Sequence, residues 1–100
     1  MVSRSGLPPL HPGYSVMREL TAIDMSPSEL ARRLHVPTAT IVSLLNGESP
    51  MTGDLALRLE RFYGVSAELW MGLQMDYEIR VAELANDKAQ ALDEILPLSA

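Results

Sequence analysis

Apolar positions along the middle of the chain recur at helical spacing and are cut by sharp breaks. Leu30 and Leu34 lie four apart, with the small Ala31 between them where a second helix can cross closely. Ser26 suits the N-cap before them and Pro27 the first turn, and Glu29 completes a capping box. His35-Val36-Pro37 then breaks the period, because the residue before a proline is pushed out of the helical region. From Pro37 or Thr38 a second helix follows, with Ile41, Leu44 and Leu45 on one apolar face. Asn46-Gly47 ends it, since both residues tolerate a left-handed backbone. Two helices of about two turns each cannot stand alone in water, so others must brace them.

The same reading predicts three flanking helices and no convincing strand. His11-Pro12-Gly13 starts a first helix reaching about Ile23, with Val16, Met17 and Leu20 inward, and Asp24 turns the chain. Thr52 caps a fourth helix with Asp54 near its positive end, an apolar stripe of Leu55, Leu59 and Phe62, and a stop at Gly64. Ser66 caps a fifth, where Leu69, Leu73, Tyr77 and Val81 sit four apart and carry it to about Ala85. A last amphipathic stretch spans about Asp87 to Leu96. The expected organisation is therefore a flexible arm at 1–10, where Gly6 and Pro8-Pro9 prevent regular structure, a helical domain at 11–85 and a helical tail at 86–100. The fold class is all-α.

Two helices joined by a tight turn form the unit that lays a helix in the major groove of DNA. The side of the second helix opposite Ile41 and Leu44 carries Thr38, Ala39, Val42 and Ser43, which are small and uncharged. A solvated helix face would ordinarily hold Lys, Glu or Gln there. Short hydroxyls can bond base edges, and Ala or Val can meet a thymine methyl. The plainer reading is a weakly polar face that contacts a protein. Thr38, Ala39 and Ser43 are the expected base-facing residues, while Thr40 and the backbone near Asn46 are expected at phosphates.

Charge complicates that picture. The 100 residues carry a net charge of −5, which opposes binding to a polyanion. The excess is local: residues 1–64 hold six Arg against six acids, and residues 65–100 hold Arg80 and Lys88 against seven acids. Arg32 and Arg33, with Arg18, are the nearest cations to a DNA backbone. Leu69, Leu73, Tyr77, Val81 and Leu84, with Leu92, Ile95 and Leu96 beyond, form the apolar surface expected to pair two copies or to dock a partner. A twofold pair would set half-sites roughly 34 Å apart.

Other chemistry is sparse. No cysteine is present, so disulfides and thiolate metal sites are ruled out and a reducing cytoplasm is compatible. No apolar run approaches the roughly 20 residues of a membrane span. His11 and His35 are not paired at metal-ligand spacing, and they fit a helix start and a turn. No Gly-rich phosphate loop or nucleophile–base pair appears, so neither a cofactor nor catalysis is expected. Trp70, Met71 and Tyr77 fit core or interface better than a small-molecule box.

In order and spacing, His11-Pro12-Gly13, Ser28-Glu29-Leu30-Ala31, Leu45-Asn46-Gly47, Ala56-Leu57-Arg58-Leu59 and Leu69-Trp70-Met71-Gly72-Leu73-Gln74 resemble the XRE-type DNA-binding domains of bacterial and phage repressors. Within that group the chain looks like the HigA (VapI-like) antitoxins, over about residues 11 to 85. The resemblance implies a five-helix domain, a homodimer on a twofold operator, repression of its own operon, and neutralisation of a RelE/HigB-like ribonuclease. Four features depart from the family's pattern. Pro27 stands where a phosphate-binding Gln is usual, His35 where Gly is common, Thr38-Ala39-Thr40-Ile41-Val42-Ser43 where relatives often show an Arg within the recognition helix, and Glu48-Ser49 where Lys or Arg often follow Asn-Gly. They leave the fold intact and remove phosphate contacts, a loss that a dimer can offset. The alternative is a protein-interaction module or orphan regulator of the same fold with weak or no DNA binding.

Overall fold

Four of the five helices begin where a side chain can satisfy their first amides. His11 Nδ1 accepts from Gly13 N at 2.9 Å, Ser26 Oγ from Glu29 N at 3.1 Å, and Thr52 Oγ1 from Leu55 N at 3.2 Å. Ser66 Oγ does the same for Leu69 N at 3.2 Å. In a computed structural model that describes residues 8–89 and 92–98, with backbone alone at 87–89, the helices are α1 Pro12–Ala22, α2 Pro27–Leu34, α3 Thr38–Leu45, α4 Gly53–Tyr63 and α5 Ala67–Ala89. No strand occurs among the described residues.

The exits are equally local. Asp24, His35 and Gly47 each take a positive φ, of 54°, 60° and 74°, just beyond α1, α2 and α3. Behind each, the next amide reaches back five residues: Met25 N to Leu20 O, Val36 N to Ala31 O, and Glu48 N to Ser43 O. Three helices thus close with the same Schellman arrangement. His35 does so without the freedom of a glycine.

Val16 and Leu20 of α1, Leu30, Ala31 and Leu34 of α2, Ile41 and Leu44 of α3, and Leu55, Ala56 and Leu59 of α4 share one core with Met51 and Trp70. Burying each large aliphatic side chain contributes about 1.5–3 kcal/mol. That is what holds α2 and α3, each of eight residues, too short to persist alone. The tightest approach is at Gly13. A Cβ there would collide with the Leu44 carbonyl oxygen and stand 2.9 Å from its carbon, so only glycine lets α1 rest on the end of α3.

Four expectations are corrected. Met17 is 41% exposed, because the inner line of α1 runs through Pro12, Val16 and Leu20 at steps of four. α5 does not stop near Ala85 but continues to Ala89. No separate amphipathic helix spans 87–96: among the described residues only one 3₁₀ turn, Leu92–Glu94, follows, and Leu92, Ile95 and Leu96 stay exposed. Acid at Glu83 is not surface charge, since it is buried beside the buried Arg80 with Nη1 to Oε1 at 3.4 Å. Residues 1–7 of the expected arm lie outside the described residues.

Candidate nucleic-acid interface

α2, the turn at His35-Val36-Pro37 and α3 form the predicted pair of short helices. Pro37 stands at the N-cap of α3 and makes no side-chain cap, so the first amides of α3 stay available to an acceptor from outside. The inner face of α3 is Ile41 and Leu44, both fully buried. Its outer face carries Ala39, Val42, Ser43 and Asn46 at helical steps, with Thr38 at the entry and Thr40 on the flank. Thr38, Ala39, Val42 and Asn46 are exposed, whereas Thr40 and Ser43 are half-buried. All six lie on one helix and its cap, and no charged side chain occurs between Pro37 and Gly47.

The cations divide differently from the sequence expectation. Glu29 forms an ion pair with Arg32 and lies 3.5 Å from Arg33 Nη1. The hydrogen bond from Arg32, more than any other influence, holds the Glu29 carboxyl below its usual range, so it stays ionised and offsets both arginines. Glu29 therefore serves the arginines rather than completing the capping box. The Arg33 guanidinium also sits over the Phe62 ring, 5.2 Å from its centroid. Arg18 is elsewhere, in a cleft of about 280 Å³ with Ser15, Glu19, Val65, Leu69, Trp70 and Leu73.

Two arginines of α4 also lie beside the turn. Arg58 Nη1 donates to the Leu34 carbonyl at 2.8 Å and to the His35 carbonyl at 3.3 Å, while its Nε donates to Asp54 at 2.8 Å. It thereby ties α4 to the turn that leads into α3. Arg61 lines, with Arg33, His35, Arg58 and Phe62, a cleft of about 310 Å³ beside that turn. The spacing of Asp54 and Arg58 signals an ion pair on one helix face. It says nothing of a reach back across 24 residues to Leu34.

This geometry accords with the comparisons to known proteins. A family model described as "Helix-turn-helix" (HTH_3) matches residues 16–70, the stretch from within α1 to the start of α5. The chain belongs to the XRE-type helix-turn-helix family. It is 36% identical over 97 residues to virulence-associated protein I of Dichelobacter nodosus, covering 96% of this chain and 87% of that protein. A solved addiction module antidote protein of the HigA family from Coxiella burnetii superposes with a TM-score of 0.86 at 38% identity, covering 91% of this chain and 99% of the other. The Pseudomonas aeruginosa antitoxin HigA, solved with the higBA promoter, gives a TM-score of 0.82 at 38% identity over 90% and 98% of the two chains. The helix-turn-helix of this chain, α2 and α3, thus sits in a fold whose neighbours include antitoxins solved on operator DNA.

The second predicted surface lies on α5. Leu69, Val81 and Leu84 are exposed at 57%, 41% and 42%, joined by Met75 at 61%. Leu73 and Tyr77 are half-buried. Leu73 packs on the core, and Tyr77 sets its ring edge-on to His11 at 4.9 Å. The expected row of five is therefore split between a free face and the chain's own interior. Among the described residues, no helix is long and apolar enough to cross a membrane.

Proposed function

We propose that the chain is the antitoxin of a type II toxin–antitoxin pair, which binds operator DNA as a homodimer, represses its own operon and neutralises a RelE/HigB-like ribonuclease. It acts by binding and not as an enzyme. The observation that carries this reading is the outer face of α3, stripped of long and charged side chains on a helix whose entry amides are uncapped. Thr38, Ala39 and Ser43 meet base edges, Val42 packs against a methyl, and Thr40 and Asn46 meet phosphates. Arg32 and Arg33 are shared with Glu29, so phosphate neutralisation is modest and the salt dependence shallow. Leu69, Val81 and Leu84 pair two copies, and the exposed acids Glu68, Asp76 and Glu78 of α5 face a basic toxin.

The alternative, an interaction module of this fold without useful DNA affinity, is favoured by that same pairing of Arg32 and Arg33 with Glu29. One substitution separates the two. Ser43→Glu puts a carboxylate on the reading face without entering the core. In a titration against the duplex directly upstream of the chain's coding region, it should weaken binding by about a hundredfold, because a charge meets the polyanion at close range. Unchanged binding would mean that α3 does not read DNA through this face.

A further inference from the structure

The loop that follows α3 is held in place from α5. Glu48 N, bonded to Ser43 O, is the last amide that α3 itself secures. The next support is remote: Met51 N–H donates to Gln74 Oε1 at 2.8 Å, across 23 residues of sequence. Gln74 is itself fixed, its Nε2 donating to Glu78 Oε2 at 2.7 Å. Gln74 is 5% exposed and Met51 2%, so water cannot replace that acceptor. Beside it, His11 joins the two ends of the arrangement. Its ring meets Tyr77 of α5 and lies 3.7 Å from the place a Cβ on Gly47 would take.

We infer that Gln74 is a positioning residue for DNA recognition, holding the end of α3 and the loop to Met51 in register with the phosphate backbone from the inner side of the partner-binding helix. This rests on the DNA-binding reading given above. The warrant is geometric. Hydrogen bonds from Asn46 and the backbone after it to phosphates tolerate only a few tenths of an ångström. A loop that enters α4 unsupported would lose them, while the core beneath α3 stays packed. The same bond places the loop one side chain away from Glu78, on an exposed turn of α5 that a partner can cover.

Substitutions at Gln74 and Glu78 test this in the full chain. Gln74→Met keeps size and burial and removes both bonds. Gln74→Glu sets two carboxylates face to face, and Gln74→Glu with Glu78→Gln reverses donor and acceptor so that both bonds return. The probes are the duplex directly upstream of the chain's coding region and a scrambled duplex of equal length. Gln74→Met and Gln74→Glu should each weaken binding to the upstream duplex about tenfold. The oligomeric state by light scattering should hold, and amide exchange across 47–51 should quicken. The paired exchange should restore affinity to within about threefold of the original. Wild-type affinity in Gln74→Met, unchanged amide exchange across 47–51, or no rescue by the paired exchange would overturn the role. If Gln74→Met fails to fold, the Glu pair still decides. A wild-type chain that binds neither duplex defeats the DNA-binding reading and this role together, whereas loss of the role alone leaves wild-type binding intact.

Discussion

α3 and α5 both leave side chains uncovered, and the two bare surfaces are of opposite kinds. On α3 the outward residues are Thr38, Ala39, Val42, Ser43 and Asn46, all short and none charged. On α5 they are Leu69, Met75, Val81 and Leu84, large and apolar, set among Glu68, Asp76 and Glu78. A surface that must enter a groove gains from small volume, because each long side chain would hold the backbone off the base edges. A surface that covers another protein gains from area, since affinity there comes from apolar burial ringed by polar groups. The two helices also differ in what anchors them. α3 is fixed on its inner side by α1 and the core, whereas the far part of α5 leaves Val81 and Leu84 exposed.

The largest test strikes the anchoring of α3. Gly13→Ala drives a methyl into the Leu44 carbonyl and must push α1 off the end of α3. Overpacking of this kind costs roughly 3 kcal/mol when backbone, not a flexible side chain, is the obstacle. For a domain of this size that is a fall in Tm of about 12 °C or more, measurable by thermal denaturation. A fall of only a degree or two would mean that α1 does not set the position of α3.

The second test breaks α5 and leaves α3 alone. Val81→Ser with Leu84→Ser removes two exposed apolar side chains. Exposed substitutions of this type change monomer stability by about 0.5 kcal/mol or less each. Dimer dissociation should rise about a hundredfold, seen as a shift to monomer in light scattering at tens of micromolar. If the two faces are separate in function, the scrambled-duplex affinity per monomer stays constant while cooperative operator binding is lost. A mass that does not change would place the dimer contact elsewhere and leave α5 to the toxin.

Helices were legible in the sequence wherever capping and periodicity agreed. Ser26, Thr52 and Ser66 each cap as expected, and Asn46-Gly47 ends α3. The outer face of α3 followed from which positions Ile41 and Leu44 claim for the core. What the sequence hid were the contacts that cross between elements. Arg58 reaching back to Leu34 and Gln74 holding Met51 have no local signature, because each pairs a side chain with a distant backbone group. Charge reading failed for a related reason. Arg80 and Glu83 count as surface charges until tertiary packing buries them together. The tail erred through periodicity alone: Leu92, Ile95 and Leu96 have helical spacing, but no packed face for them to cover holds them in a helix.

The smallest effect tests the entry to α3. His35 holds φ 60° and ψ 44° at the end of α2, a left-handed conformation that costs a residue with a Cβ roughly 1–2 kcal/mol. Glycine takes that conformation freely but loses about 0.5–1 kcal/mol through the greater entropy of its unfolded chain. The strain relieved exceeds the entropy lost, so His35→Gly should stabilise the fold by about 0.5–1 kcal/mol and raise Tm by about 2–8 °C. The side chain is exposed and its removal leaves the Arg58 bond to the His35 carbonyl in place, so the turn should keep its shape. Operator affinity should then match that of the unaltered chain. A lower Tm would show that the His35 side chain contributes more than its backbone strain costs. An unchanged Tm with weakened operator binding would instead make the imidazole part of the DNA surface, extending the reading face of α3 back across the turn.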